Sequence, residues 1–163
     1  MGLMFSADEI VDIAVEIEKN GAAFYDEVVK STQNQQVKDL AVYLREEEKK
    51  HIRAFEQLRA PLSKYQPALE SYPGEYEAYM KALAAERVFT GDITPKVLLE
   101  KASSDAEALL IAIGFEKDSI LFFFEIRNFV PKSELEAIEE LINQERSHLR
   151  QLSELRREAL HTP

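Results

Sequence analysis

Three shortages narrow this 163-residue chain before any motif is read. Cysteine is absent, which excludes disulfides, zinc fingers, iron–sulfur centres and thiol catalysis. Basic residues are few beside acidic ones, 20 against 30, leaving a formal net charge of -10. Phosphate contact needs a basic face, so nucleic acid and anionic lipid are disfavoured as partners, while cations are favoured. Long apolar runs are missing too: nothing approaches the ~18 residues a membrane span needs. The opening MGLMFSADEI has no basic n-region followed by an apolar stretch. A cytoplasmic protein with no membrane partner is the expectation.

What remains is the profile of a soluble helical protein, 45% apolar and 31% charged, of a length that one domain over 1–163 accounts for. Histidine is scarce, with only 3, and each has Glu three positions upstream: Glu48/His51, Glu145/His148 and Glu158/His161. In a chain this rich in Glu, that spacing alone separates nothing.

Four long segments combine helical periodicity with few breakers. They cover about 6–31, 34–59, 104–129 and 133–160. Ser6 with Glu9, Ser104 with Glu107 and Ser133 with Glu136 are spaced as capping boxes, and Pro131 is placed to stop the third helix. Between the second and third lies a crossover, 60–103, with Pro61, Pro67, Pro73, Gly74, Gly91 and Pro95. Short helical pieces are expected there near 75–88 and 95–102. Short loops make helices 1–2 and 3–4 antiparallel hairpins, and the crossover must travel the length of the bundle. The fold class is therefore all-α: a four-helix bundle of two hairpins joined by a long connection.

The hairpins repeat each other. AVEIEKNGAAFYDEV aligns with AIGFEKDSILFFFEI, and EEEKKHIRAFEQL with NQERSHLRQLSEL, at offsets of 98 and 97 residues. Positions alternately 3 and 4 apart form the core stripe of each helix. Helix 1 reads Val11, Ala14, Glu18, Gly21, Tyr25, Val28; helix 2 reads Ala41, Leu44, Glu48, His51, Phe55, Leu58. Helix 3 reads Leu109, Ala112, Glu116, Ser119, Phe123, Ile126; helix 4 reads Ile138, Leu141, Glu145, His148, Leu152, Leu155. Each apolar stripe is interrupted at its third position by Glu, and helices 2 and 4 add His at the next. Glu18 and Glu48 stand about 14 residues either side of the first loop, so they share a level; Glu116 and Glu145 do likewise around the second.

Burial gives that convergence its meaning. A lone carboxylate in a dry core costs several kcal/mol, and four together also repel one another. No Lys or Arg stands on the stripes to compensate. Four carboxylates with two imidazoles are a ligand set for two divalent metals in a bundle core, and the donor types favour iron or manganese. Glu158 and His161 fall off the stripe near the terminus and serve as the control, a solvated pair.

The quoted segments resemble the rubrerythrin branch of the ferritin-like superfamily: Glu18 with Tyr25 in EKNGAAFY, then EEEKKH, EKDSILFF and QERSH. The resemblance implies two iron ions, or manganese or a mixed pair. Glu18 and Glu116 are its terminal ligands, Glu48 and Glu145 its bridges, and His51 and His148 bind one metal each. It implies a non-haem di-iron oxidoreductase reacting with dioxygen or peroxide, as an oxidase, peroxidase or ferroxidase-like protein of oxidative stress. The alternative is an iron-binding or storage protein without turnover. Two departures matter. Ser119 stands where rubrerythrins carry a further carboxylate, and no Cys is present for a rubredoxin domain, so a separate electron donor is expected.

Other residues leave two readings open. The Tyr25 hydroxyl either bonds a ligand across the bundle or merely fills the core. Gly21 and Ser119 either leave space for an oxidant or let helices pack closely. ILFFFEI is read as packing or a homodimer contact. REEEKK is read as a solvated face with a Glu46–Lys50 pair, and RAPLSKYQPALESYPGEYEAY as a cover over the bundle or over a partner.

Overall fold

The chain begins its first helix as the Ser6/Glu9 spacing requires. Ser6 Oγ accepts the Glu9 N–H at 3.2 Å, and the Glu9 carboxylate accepts the Ser6 N–H at 2.7 Å. The computed structural model describes residues 6–64, 75–85 and 94–161. Six α-helices follow in order: α1 Ala7–Ser31, α2 Gln35–Ser63, α3 Glu75–Ala85, α4 Pro95–Glu100, α5 Asp105–Ile126 and α6 Leu135–His161. The expected helix near 75–88 and the expected cover both extend into residues outside those described.

Several boundaries differ from the sequence reading, each for a local reason. α2 continues through Pro61, because a proline this near the end removes little of the hydrogen-bond ladder and Leu62 behind it is buried. α5 stops at Ile126, well before Pro131. The chain turns there so that Phe129 and Val130 fold into the core, with Phe129 N–H bonded to Ile126 O at 2.8 Å. The Ser133/Glu136 box does not form. Ser133 Oγ bonds the Glu134 carboxylate, and a 3-10 turn over Lys132–Glu134 leads into α6. At α5 the box is displaced by one residue. Ser104 Oγ accepts the Glu107 N–H at 3.3 Å, but the Glu107 carboxylate turns to Ser103 N–H at 2.7 Å.

α1 packs along α2 and α5 along α6; across the hairpins α1 meets α5 and α2 meets α6. A hydrogen bond from Thr32 Oγ1 to Asp105 Oδ1, 2.8 Å, ties the α1–α2 turn to the start of α5. That tie links the two hairpins at one end of the bundle. The core is divided into two apolar clusters. One, at the turn end, contains Phe24, Val28, Leu44, Leu109 and Leu152, with Leu98 and Leu99 of α4 packed against it. The other contains Val11, Phe55, Phe123, Ile126 and Ile138, and buries Met80 of α3. α3 and α4 thus mark opposite ends of the bundle, as a crossover spanning its length requires. Among the described residues, no helix is long and apolar enough to cross a membrane.

Candidate metal centre

The four stripes all turn inward, and every position named on them is buried except Leu155, half-buried near the end of α6. Between the two apolar clusters they set one polar layer. Glu18, Glu48, His51, Glu116, Glu145 and His148 come together there, none more than 4% exposed. Glu158 and His161 lie exposed and apart from this layer.

His51 faces the carboxylates through Nδ1: Glu145 Oε1 is 2.7 Å away, Glu18 Oε2 3.0 Å and Glu48 Oε2 3.6 Å. His148 Nδ1 stands 3.5 Å from Glu145 Oε2 and 3.6 Å from Glu116 Oε2. The two rings stack, with centroids 5.6 Å apart and planes at 19°. The Tyr25 hydroxyl donates to Glu116 Oε1, a bond that crosses the bundle from α1 to α5. A Cβ on Gly21 would sit 3.3 Å from Glu48 Cδ, so a larger residue there would press on the Glu48 carboxylate.

Electrostatics show what the layer lacks. Burial, with the neighbouring Glu48 charge, pushes the Glu18 carboxyl well above the usual carboxylate range. Burial and the Glu145 charge do the same to Glu116, against the lowering effect of the Tyr25 hydrogen bond. Burial also raises the Tyr25 phenol, helped by the charge of Glu116. Burial opposes charge on His51, yet its contacts with Glu145, Glu18 and Glu48 outweigh this and raise its pKa far above the ordinary histidine range. Glu145 is driven the other way. Burial opposes its charge, but contacts from Glu116, His148 and His51 hold it ionised. Protons on these groups would offset the crowded charge only in part. Glu18 Oε1, Glu116 Oε2, both Glu145 oxygens and His148 Nδ1 are buried without an aligned hydrogen bond, Glu145 Oε1 keeping only its close ion-pair approach to His51 Nδ1.

A divalent ion is the group that such atoms fit. Glu18, Glu48, His51 and Glu145 bring one ligand atom each to within 4.8 Å of one another, and so do Glu48, Glu116, Glu145 and His148. Glu48 and Glu145 belong to both sets. Two divalent ions would balance four carboxylates and leave both imidazoles neutral.

Around the layer the sequence reading needs correction. Glu46 pairs with Lys49 and Arg45, and Lys50 with Glu47, so the expected Glu46–Lys50 pair is not made. Glu47 is not simply solvated, because a carboxylate oxygen of it lies within 4.8 Å of ring nitrogens of both His51 and His148. Gln144, not singled out from the sequence, meets His51 Nε2 at 2.9 Å. Its signal was present in the repeat, where it aligns with Glu47. In ILFFFEI, Phe122, Phe123 and Ile126 are core, and Leu121 is exposed. A surface depression of about 440 Å³ reaches His148 past Tyr43, Glu136, Glu140 and Ser147.

No model of a known protein family matches this sequence, and no curated protein matches it. A solved structure does. Over 94% of its length the chain is similar to a crystal structure from Thermotoga maritima described as a ferritin-like diiron-carboxylate protein, covering 96% of that chain at 26% identity with a TM-score of 0.71. The fold of this chain is the ferritin-like all-α bundle, with a buried Glu/His layer fit for metal.

Proposed function

We propose that this protein is a non-haem di-iron protein of the rubrerythrin-like branch that reacts with dioxygen or peroxide. In this reading Glu18, Glu48, His51, Glu116, Glu145 and His148 hold the two ions. The observation that carries it is the pair of overlapping buried ligand sets sharing Glu48 and Glu145, with five of their atoms orphaned. Carboxylate with imidazole suits iron or manganese and disfavours soft metals.

Two irons held there would supply electrons and open coordination positions to the oxidant. The chain's own residues do the rest. The apolar clusters above and below the layer limit water. Tyr25 donates its hydroxyl to Glu116 Oε1, and Gly21 leaves the Glu48 carboxylate its room by carrying no side chain. The depression at His148 is the route for a small oxidant. In this reading a separate electron donor re-reduces the centre, since these 163 residues hold no cysteine for an iron–sulfur relay. Two copies pair, in this reading, through the outer face of α5, where Leu110 and Leu121 are exposed.

Iron handling without turnover is the second reading. It is favoured by Ser119, a small hydroxyl where the resembled family places a carboxylate that moves during reaction. Iron-reconstituted protein separates the two: catalysis requires peroxide or dioxygen consumption over many turnovers that depends on the metal. Metal analysis and an optical spectrum of protein purified in air test the centre itself. Failure to bind two equivalents removes both readings.

A further inference from the structure

The repeat equates Gln144 with Glu47, the residues immediately before Glu145 and Glu48. Gln144 stands on the Nε2 side of His51, away from the carboxylates. Gln144 reaches from α6 to α2, placing Oε1 2.9 Å from His51 Nε2. Its amide nitrogen donates to Glu140 Oε1 at 3.3 Å. The second bond fixes the first: with the NH2 directed to Glu140, the amide presents oxygen to the ring. An acceptor there calls for N–H at Nε2, so in the neutral ring the lone pair lies on Nδ1. Nδ1 is the nitrogen that faces Glu145, Glu18 and Glu48.

We propose that Gln144 is a positioning residue that holds His51, from the opposite hairpin, in the tautomer and ring orientation that present Nδ1 to metal. The proposal rests on the di-metal reading above. Its counterpart gives the contrast. The Glu47 carboxylate lies near both rings, but it is also ion-paired with the exposed Lys50. The two imidazoles therefore differ: a neutral amide bonded at both ends backs His51, whereas the carboxylate near His148 lies near His51 too and is paired with a lysine. Partners behind a ligating histidine typically contribute about 10–100-fold to metal affinity.

The test is an anaerobic Co(II) titration of the whole protein, read by its visible absorption, with ring ¹⁵N NMR of the Zn(II)-loaded form. Gln144→Leu should weaken one of two equivalents about 10–100-fold and leave the other near its wild-type value. In the same variant the His51 Nε2 proton should exchange faster with solvent. Gln144→Glu, which restores an acceptor, should recover most of the lost affinity. Should Gln144→Leu fail to fold by circular dichroism, Gln144→Asn, which keeps the amide but shortens its reach, carries the same expectation. Wild-type protein binding two equivalents while the variant titrates identically, with an equally protected Nε2 proton, overturns the role of Gln144 alone. Wild-type protein that binds no second equivalent overturns the di-metal reading and this proposal with it.

Discussion

Tyr25 on α1 donates its hydroxyl to Glu116 on α5, joining the two hairpins through the polar layer. The counterpart of Tyr25 in the repeat is Phe123, which has no hydroxyl to offer Glu18, so the internal two-fold symmetry breaks at this bond. Tyr25→Phe leaves Glu116 Oε1 buried without its donor. The metal-free protein should lose about 1–3 kcal/mol, and the metal-loaded protein less, because a cation then satisfies the carboxylate. Urea denaturation of both forms measures the difference.

Glu48 belongs to both ligand sets, whereas Glu158 lies exposed at the end of α6. Glu48→Ala should therefore abolish binding at both positions, and Glu158→Ala should retain two equivalents. Metal content per chain after reconstitution and desalting decides it. Equal loss in both variants would remove the reasoning from the stripes.

Gly21→Ala should separate stability from affinity. The new methyl would stand 3.3 Å from Glu48 Cδ and 3.5 Å from Glu48 Oε1, so the carboxylate must shift. Alanine also favours the helix by about 1 kcal/mol. Metal affinity should fall several-fold while the melting temperature of the metal-free protein holds or rises. Unchanged affinity would show that Glu48 has room to move.

Metal-free protein should become less stable as pH rises. Burial raises Glu18 and Glu116, and contacts with carboxylates raise His51, so the folded state keeps protons that the unfolded chain releases. The Glu18 and Glu116 contribution begins to disappear above about pH 4.3 and that of His51 above about pH 6.5, the unfolded values. Glu145, held ionised, acts oppositely, and only as pH falls below about 4.3. Melting temperatures across pH 5 to 9 should fall for the metal-free form, and metal should flatten the slope. A rising slope without metal would contradict the assignment of these protons.

A charged face should separate paired copies. Leu110→Lys with Leu121→Lys adds like charges to the outer side of α5 without touching the core. Light scattering should then report single chains where the unaltered protein reports pairs; pairs that persist would place the contact elsewhere.

The polar layer was legible because helical period fixes where a side chain points. Glu18, Glu48, Glu116 and Glu145 replace apolar residues in otherwise apolar rows, and no surface explanation serves them. The same rule hid Gln144 and Glu47. One position before an interior glutamate lies about 100° round the helix, where a polar residue looks solvated. Only the packing of α2 against α6 turns those side chains toward the rings. Helix ends were less legible for a related reason. Pro61 and Ser133 carry strong local signals, yet burial of Leu62, and of Phe129 and Val130, set where the helices continue or stop.

The two ligand sets also describe a joint between halves of the molecule. Each takes three residues from one hairpin and a single glutamate from the other. Either hairpin alone carries most of one position and completes neither. The crossover keeps the halves at a high effective concentration, which makes their docking intramolecular. Cut within the crossover, the chain would become two associating pieces, and metal affinity would be read as the strength of their association. The ions would then work as a clasp, closing two copies of one ancestral hairpin around themselves.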